Sequence, residues 1–76
     1  MELQDYISKF ASRFDETPAE KFTADTEFKA LDEWSSLSAL TIIAMADEEY
    51  GVKIKGEDIR NSDTIKDLYA IVKSRA

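Results

Sequence analysis

The chain of 76 residues has no cysteine and no histidine, one proline and two glycines. These absences exclude a disulfide framework, the common zinc sites and the usual pairs of nucleophile and base. The longest apolar run, Ile42 to Ala46, is far shorter than the ~20 residues that span a bilayer. The segment from Met1 to Asp5 lacks the basic start of a secretory signal. We therefore expect a cytoplasmic protein with no membrane insertion, no metal site and no catalytic residues of its own.

The composition favours a helical fold. Hydrophobic residues make up 43% of the chain, and residues that break helices are scarce. This balance is typical of a compact helical domain rather than of a disordered tail or a β fold. A chain of this length forms one domain, so we expect a single all-α domain over residues 1–76, and we expect it to be a monomer.

Acidic residues are concentrated in the middle of the chain. The formal net charge is −6, and residues 15–35 hold seven carboxylates against two lysines. Residues 36–50 add three more carboxylates and no base. Such a surface repels phosphate backbones and anionic lipids, and it attracts basic protein surfaces. Nucleic acid is therefore excluded as a partner, and a protein with a basic surface is favoured.

Apolar residues at helical spacing predict three main helices. The first covers residues 2–14, and the second runs from Ser36 to Tyr50, with Ser35 as its N-cap and Gly51 as its left-handed C-terminal cap. The third begins after Asp63 or Thr64. One short helical turn is expected after Gly56, following an extended connector that turns Val52 and Ile54 inward.

Residues 15–35 lose the helical period and predict a long first loop. A loop of about twenty residues is unusual in a compact domain unless its own side chains hold it in place or it serves a function. Four apolar residues among the acids are the expected anchors: Phe22, Phe28, Leu31 and Trp34. The predicted architecture is thus a small bundle of three main helices and one short helix, with a long first loop.

The predicted second helix has two different faces. One face suits the core and holds Ala39, Ile42, Ile43, Ala46 and Tyr50. The other face is apolar near the serines and acidic farther along, as expected of a transient docking surface. Its residues are Leu37, Leu40, Thr41, Ala44, Asp47 and Glu48. An exposed serine hydroxyl at the start of this helix would be a natural attachment point for a reactant.

The pattern resembles the acyl carrier protein family, in its stand-alone form, over nearly the whole chain. The family opens its second helix with Asp-Ser-Leu and closes it with acidic residues, an aromatic residue and glycine. The corresponding residues are Ser35-Ser36-Leu37 and Asp47-Glu48-Glu49-Tyr50-Gly51. Farther on, Val52-Lys53-Ile54 and Thr64-Ile65-Lys66-Asp67 resemble the family's connector and the start of its last helix.

The resemblance implies a function in carriage rather than catalysis. It implies that Ser36 bears a covalent 4′-phosphopantetheine arm taken from coenzyme A, and that the arm holds acyl or aminoacyl intermediates as thioesters. A chain without cysteine needs such an imported thiol. The implied partners are a phosphopantetheinyl transferase and acyl-processing enzymes with basic surfaces. Fatty acid or polyketide biosynthesis is the implied setting.

Ser35 is the departure from the family pattern, because aspartate is usual there. Serine caps a helix about as well as aspartate, so the fold is expected to be unaffected. The change leaves an alternative function open, namely an unmodified carrier-like module that binds partners through its acidic second helix. An enzyme with a serine nucleophile is disfavoured, since no recognisable general base accompanies either serine.

Overall fold

The computed structural model describes residues 2–76, so Met1 of the predicted domain lies outside the described residues. The described part contains four α-helices and no β-strand. They are α1 (Leu3–Ala11), α2 (Ser36–Tyr50), α3 (Gly56–Arg60) and α4 (Ile65–Arg75). The predicted all-α bundle of three main helices and one short helix is confirmed. The first helix is shorter than predicted, because i→i+3 hydrogen bonds tighten the chain after Ala11.

The ends of α2 follow from local chemistry. Ser35 has an extended backbone and its side chain accepts a hydrogen bond from the amide of Ser38, which makes it the predicted N-cap. At the other end, Gly51 has φ 67°, in the left-handed region that favours glycine. The amides of Gly51 and Val52 then donate to the carbonyls of Asp47 and Ala46, at 2.9 and 3.2 Å. The bond from the Gly51 amide is the one that defines an αL cap.

The long first loop is held at both ends and in the middle. Of its predicted anchors, Phe22 and Phe28 are buried, while Leu31 and Trp34 are half-buried. The loop contains two short 3₁₀ turns, Ala19–Lys21 and Phe28–Ala30. Carbonyls of loop residues 24 and 26 also accept hydrogen bonds from the first amides of α4. The loop is therefore packed onto the bundle, and its last residues enter α2 in a defined direction.

One core fills the space between the helices and the loop. It consists of Tyr6, Ile7, Phe10, Phe14, Phe22, Phe28, Ile42, Met45, Ala46, Val52, Ile54, Ile59, Ile65, Leu68 and Val72. The predicted inward connector residues Val52 and Ile54 are among them. Three residues that the spacing places in the core are only half-buried, namely Ala39, Ile43 and Tyr50, and Met45 is fully buried instead. The buried face of α2 is rotated toward Ile42 and Met45 compared with the prediction.

A partly buried ion pair joins α3 to α4. The Arg75 guanidinium donates to both carboxylate oxygens of Asp58, at 2.7 and 2.9 Å. The same carboxylate accepts from the amide of Lys55 at 2.8 Å, just before α3. The bonds from Arg75 and from the Lys55 amide hold the pKa of Asp58 below its ordinary value. A helix as short as α3 is not stable by itself, so contacts of this kind supply most of its stability.

The rotation of α2 predicts different costs for two adjacent isoleucines. Ile42→Ala is expected to lower the free energy of unfolding by about 2–5 kcal/mol, because Ile42 is completely buried. Ile43→Ala is expected to cost only about 1–2 kcal/mol, since part of its side chain already contacts water. Denaturant melts of the two variants measure the difference. Equal losses would contradict the observed rotation.

Candidate functional site

The first turn of α2 is shaped by a reciprocal cap. The Ser38 amide donates to Ser35 Oγ at 3.3 Å, and the Ser35 amide donates to Ser38 Oγ at 3.1 Å. Ser38 Oγ also donates to the carbonyl of Glu33 at 3.3 Å. Ser38 thus takes the place that glutamate or glutamine has in a capping box. The hydroxyls of Ser35 and Ser38 are thus both hydrogen-bonded to backbone groups.

Ser36 lies between these two serines and differs from both. It is the first residue of α2 and is exposed. Its hydroxyl takes part in none of the side-chain hydrogen bonds found among residues 2–76. No acidic residue lies in the first turn of α2, where the positive end of the helix dipole favours an anion. An exposed hydroxyl in these surroundings fits a covalently attached phosphodiester.

The residues before the serines hold this turn in place. The indole of Trp34 packs edge-on against Phe28, with ring centroids 5.0 Å apart, and stacks on Phe14 at 6.2 Å. The Glu33 carboxylate bridges the two ends of the loop. It accepts from the amides of residues 15 and 16 at 3.2 Å each and from the Thr17 hydroxyl at 2.7 Å. These bonds, with that of Thr17 foremost, lower the pKa of Glu33.

The predicted docking surface lies beside the serine. Leu37 and Leu40 are the large hydrophobic residues most open to water, with 71% and 62% of their surface exposed. Ala44, Asp47 and Glu48 are exposed as well. Thr41 is half-buried, and its hydroxyl donates to the Leu37 carbonyl at 3.0 Å. The structure therefore brings five of these six predicted residues to the surface and places Thr41 at its edge.

The acidic end of α2 is paired with cations of the same chain. Arg13 reaches Glu48 at 3.2 Å and Glu49 at 3.4 Å, while Lys53 reaches Asp47 at 3.1 Å. Lys9 also approaches Glu49, at 3.5 Å. The carboxylates of this end thus all have a partner within the molecule.

Sequence reasoning missed three contributors to the site. The spacing of Ser35 and Ser38 matches that of an N-cap and its capping-box partner, so Ser38 could have been found from the sequence. Glu33 and Arg13 form hydrogen bonds with residues that lie 16 or more positions away along the chain. No local pattern signals such contacts, because they exist only once the helices have packed.

The chain is similar to a known family and to a known protein. The family described as "Phosphopantetheine attachment site" matches residues 5–72. A relative named "Acyl carrier protein" from Kineococcus radiotolerans is 34% identical over 55 residues, which cover 72% of this chain and 68% of the relative. No solved structure matches the chain.

Within residues 2–76 there is neither a cluster of side chains suited to a metal ion nor a helix long and apolar enough to cross a membrane.

Proposed function

The chain belongs to the phosphopantetheine-binding family of carrier proteins, and from that membership we propose that Ser36 bears the arm and that acyl or aminoacyl intermediates travel on it as thioesters. The cofactor itself, covalently held 4′-phosphopantetheine, follows from the family. The observation that supports Ser36 is its free, exposed hydroxyl at the first turn of α2, between two serines whose hydroxyls are engaged. We further propose a single monomeric domain over residues 1–76.

The attachment chemistry requires a partner enzyme. The Ser36 hydroxyl is a weak nucleophile, and no base contacts it among the described residues. A transferase must therefore take its proton while the new bond from oxygen to phosphorus forms and the adenosine bisphosphate part of coenzyme A leaves. Once attached, the arm supplies the thiol that this chain lacks. The chain's own contribution is to hold the modified serine exposed on a rigid helix.

The cargo is chosen by the enzymes that dock. We propose fatty-acyl or polyketide intermediates, handled by enzymes that approach along Leu37, Leu40, Thr41, Ala44, Asp47 and Glu48. Two exposed leucines beside the attachment serine support this surface, because exposed apolar side chains are commonly binding anchors. Weak contacts that release quickly suit a carrier that must leave after each transfer.

Loading of the purified protein tests the function. The protein is incubated with coenzyme A, magnesium and a phosphopantetheinyl transferase of broad specificity, and its intact mass is then measured. A gain of one phosphopantetheine is expected. No gain with several transferases would favour the unmodified interaction module, for which Ser35, in place of the usual aspartate, is the supporting feature.

A charge placed on the proposed docking surface is expected to slow loading. Leu40→Glu should lower kcat/KM for the transferase more than about fivefold, because an apolar anchor is lost. Its stability should change by less than about 0.5 kcal/mol, since Leu40 is exposed. Ala70→Glu on α4 is the matched control, because it adds the same charge at another exposed position. Equal rates for the two variants would place docking elsewhere.

A further inference from the structure

The end of α1 lies beside the acidic end of α2 and covers part of its charge. The two terminal nitrogens of the Arg13 guanidinium reach two different carboxylates, Glu48 and Glu49. Arg13 keeps only 26% of its side chain exposed, whereas Glu48 keeps 62%. The guanidinium is thus fixed against the helix, while the outer side of the Glu48 carboxylate remains open to an approaching protein.

We infer that Arg13 occupies the position of a partner's arginine, and that docking exchanges this internal guanidinium for one brought by the partner. The inference rests on the proposed function, since it concerns the enzymes that approach Ser36. It adds the kind of partner, which presents an arginine to Glu48 and Glu49 and an apolar side chain to Leu40. It also makes Arg13 an internal competitor of the partner's arginine, and this competition keeps docking weak.

The geometry explains why arginine fits better than lysine. A guanidinium is a planar fork that can engage two carboxylate groups at once, whereas an ammonium is a single point of charge. Arg13 uses this property across Glu48 and Glu49, at 3.2 and 3.4 Å. The pair of carboxylates is thus already spaced for a fork. A cation brought by a partner must displace Arg13, so the free energy of docking contains only the difference between the two ion pairs. Arg13 also repels the incoming cation until the exchange occurs.

Removal of Arg13 is therefore expected to strengthen docking. Arg13→Gln should raise kcat/KM for the transferase about two- to fivefold at low ionic strength, the range expected for exposed ion pairs. The gain should fade near 1 M salt, where charges are screened within about 3 Å. Lys21→Gln is the matched control, because it changes the net charge equally but removes a lysine that forms none of the ion pairs described for α2. Its gain should be clearly smaller.

A binding measurement without modification separates this inference from the proposed function. Two labelled helical peptides are used, one of leucine and arginine and one with lysine at every arginine position. Arg13→Gln should bind the arginine peptide more tightly than the unaltered protein does, and it should prefer arginine over lysine. Further replacement of Glu48 and Glu49 by glutamine should remove both effects.

The outcomes are distinct. Failure of all transferases to load the protein, with the peptide effects present, would overturn the proposed function and leave the inference standing. Equal gains for Arg13→Gln and Lys21→Gln would show that only net charge acts, and would overturn the inference. The same conclusion would follow if Arg13→Gln had no effect on peptide binding, or if the lysine peptide bound as well as the arginine peptide.

Discussion

Ser36→Ala is expected to abolish the uptake of phosphopantetheine, whereas Ser35→Ala and Ser38→Ala should still take up one arm. The three serines lie within one turn but have different surroundings. Ser35 and Ser38 use their hydroxyls to cap α2, and Ser36 leaves its hydroxyl free at the surface. Only Ser36 therefore offers an acceptor oxygen without breaking a bond that stabilises the helix.

The fold should survive each of these changes. Ser35→Ala removes the N-cap and is expected to cost about 1 kcal/mol, while Ser36→Ala at an exposed position should stay within about 0.5 kcal/mol. Ser35→Ala should therefore lose stability but keep its loading, whereas Ser36→Ala should keep its stability but lose its loading. This opposition separates loss of the acceptor from loss of structure.

Intact mass after reaction with the transferase measures the result, and digestion into peptides locates the arm. Circular dichroism before the reaction confirms that each variant is helical. A full mass gain in Ser36→Ala, or an arm located on Ser35, would show that the attachment position is wrong. Slower but complete loading of Ser35→Ala would agree with the prediction, because loss of the cap loosens the turn that presents Ser36.

Much of the fold could be predicted because its signals are local. The boundaries of α2 follow from Ser35 at one end and Gly51 at the other, and both act through hydrogen bonds within a few residues. The inward connector follows from alternation at Val52 and Ile54. These features depend on the backbone of a single segment, so the sequence of that segment is sufficient.

The features that the sequence does not predict depend on packing contacts between distant segments of the chain. The run Ile42 to Ala46 is apolar on every side, so its spacing cannot decide which residues face the core. Packing against the other elements buries Ile42, Met45 and Ala46 and leaves Ile43 half-exposed. The same limit applies to the site. The sequence predicts that the acidic end of α2 is open to partners, but it does not show the cations that pair with this end. They come from other segments, such as Arg13, two residues beyond α1.

Phe28→Ala is expected to cause the largest loss of stability in the first loop, about 3–5 kcal/mol. Phe28 is completely buried and contacts two other aromatic residues, one in α1 and one in the loop itself. Its ring meets Phe10 of α1 edge-on at 5.5 Å and Trp34 at 5.0 Å. Domains as small as this one have modest total stability, so the loss would leave a substantial unfolded fraction at moderate temperature. The loop would then no longer hold the turn that presents Ser36.

The single tryptophan of the chain makes this prediction measurable at the site itself. Trp34 packs on Phe28 two residues before Ser36, so its emission should shift to longer wavelength in Phe28→Ala even in the cold, where the helices persist. Phe28→Leu is the matched control, because it keeps an apolar side chain in the same space and should lose much less stability. Glu27→Ala, at the exposed residue just before the same 3₁₀ turn, should leave the emission unchanged. A loss below about 1 kcal/mol for Phe28→Ala would mean that a cavity there can collapse without cost, and that the turn before Ser36 is held by other contacts.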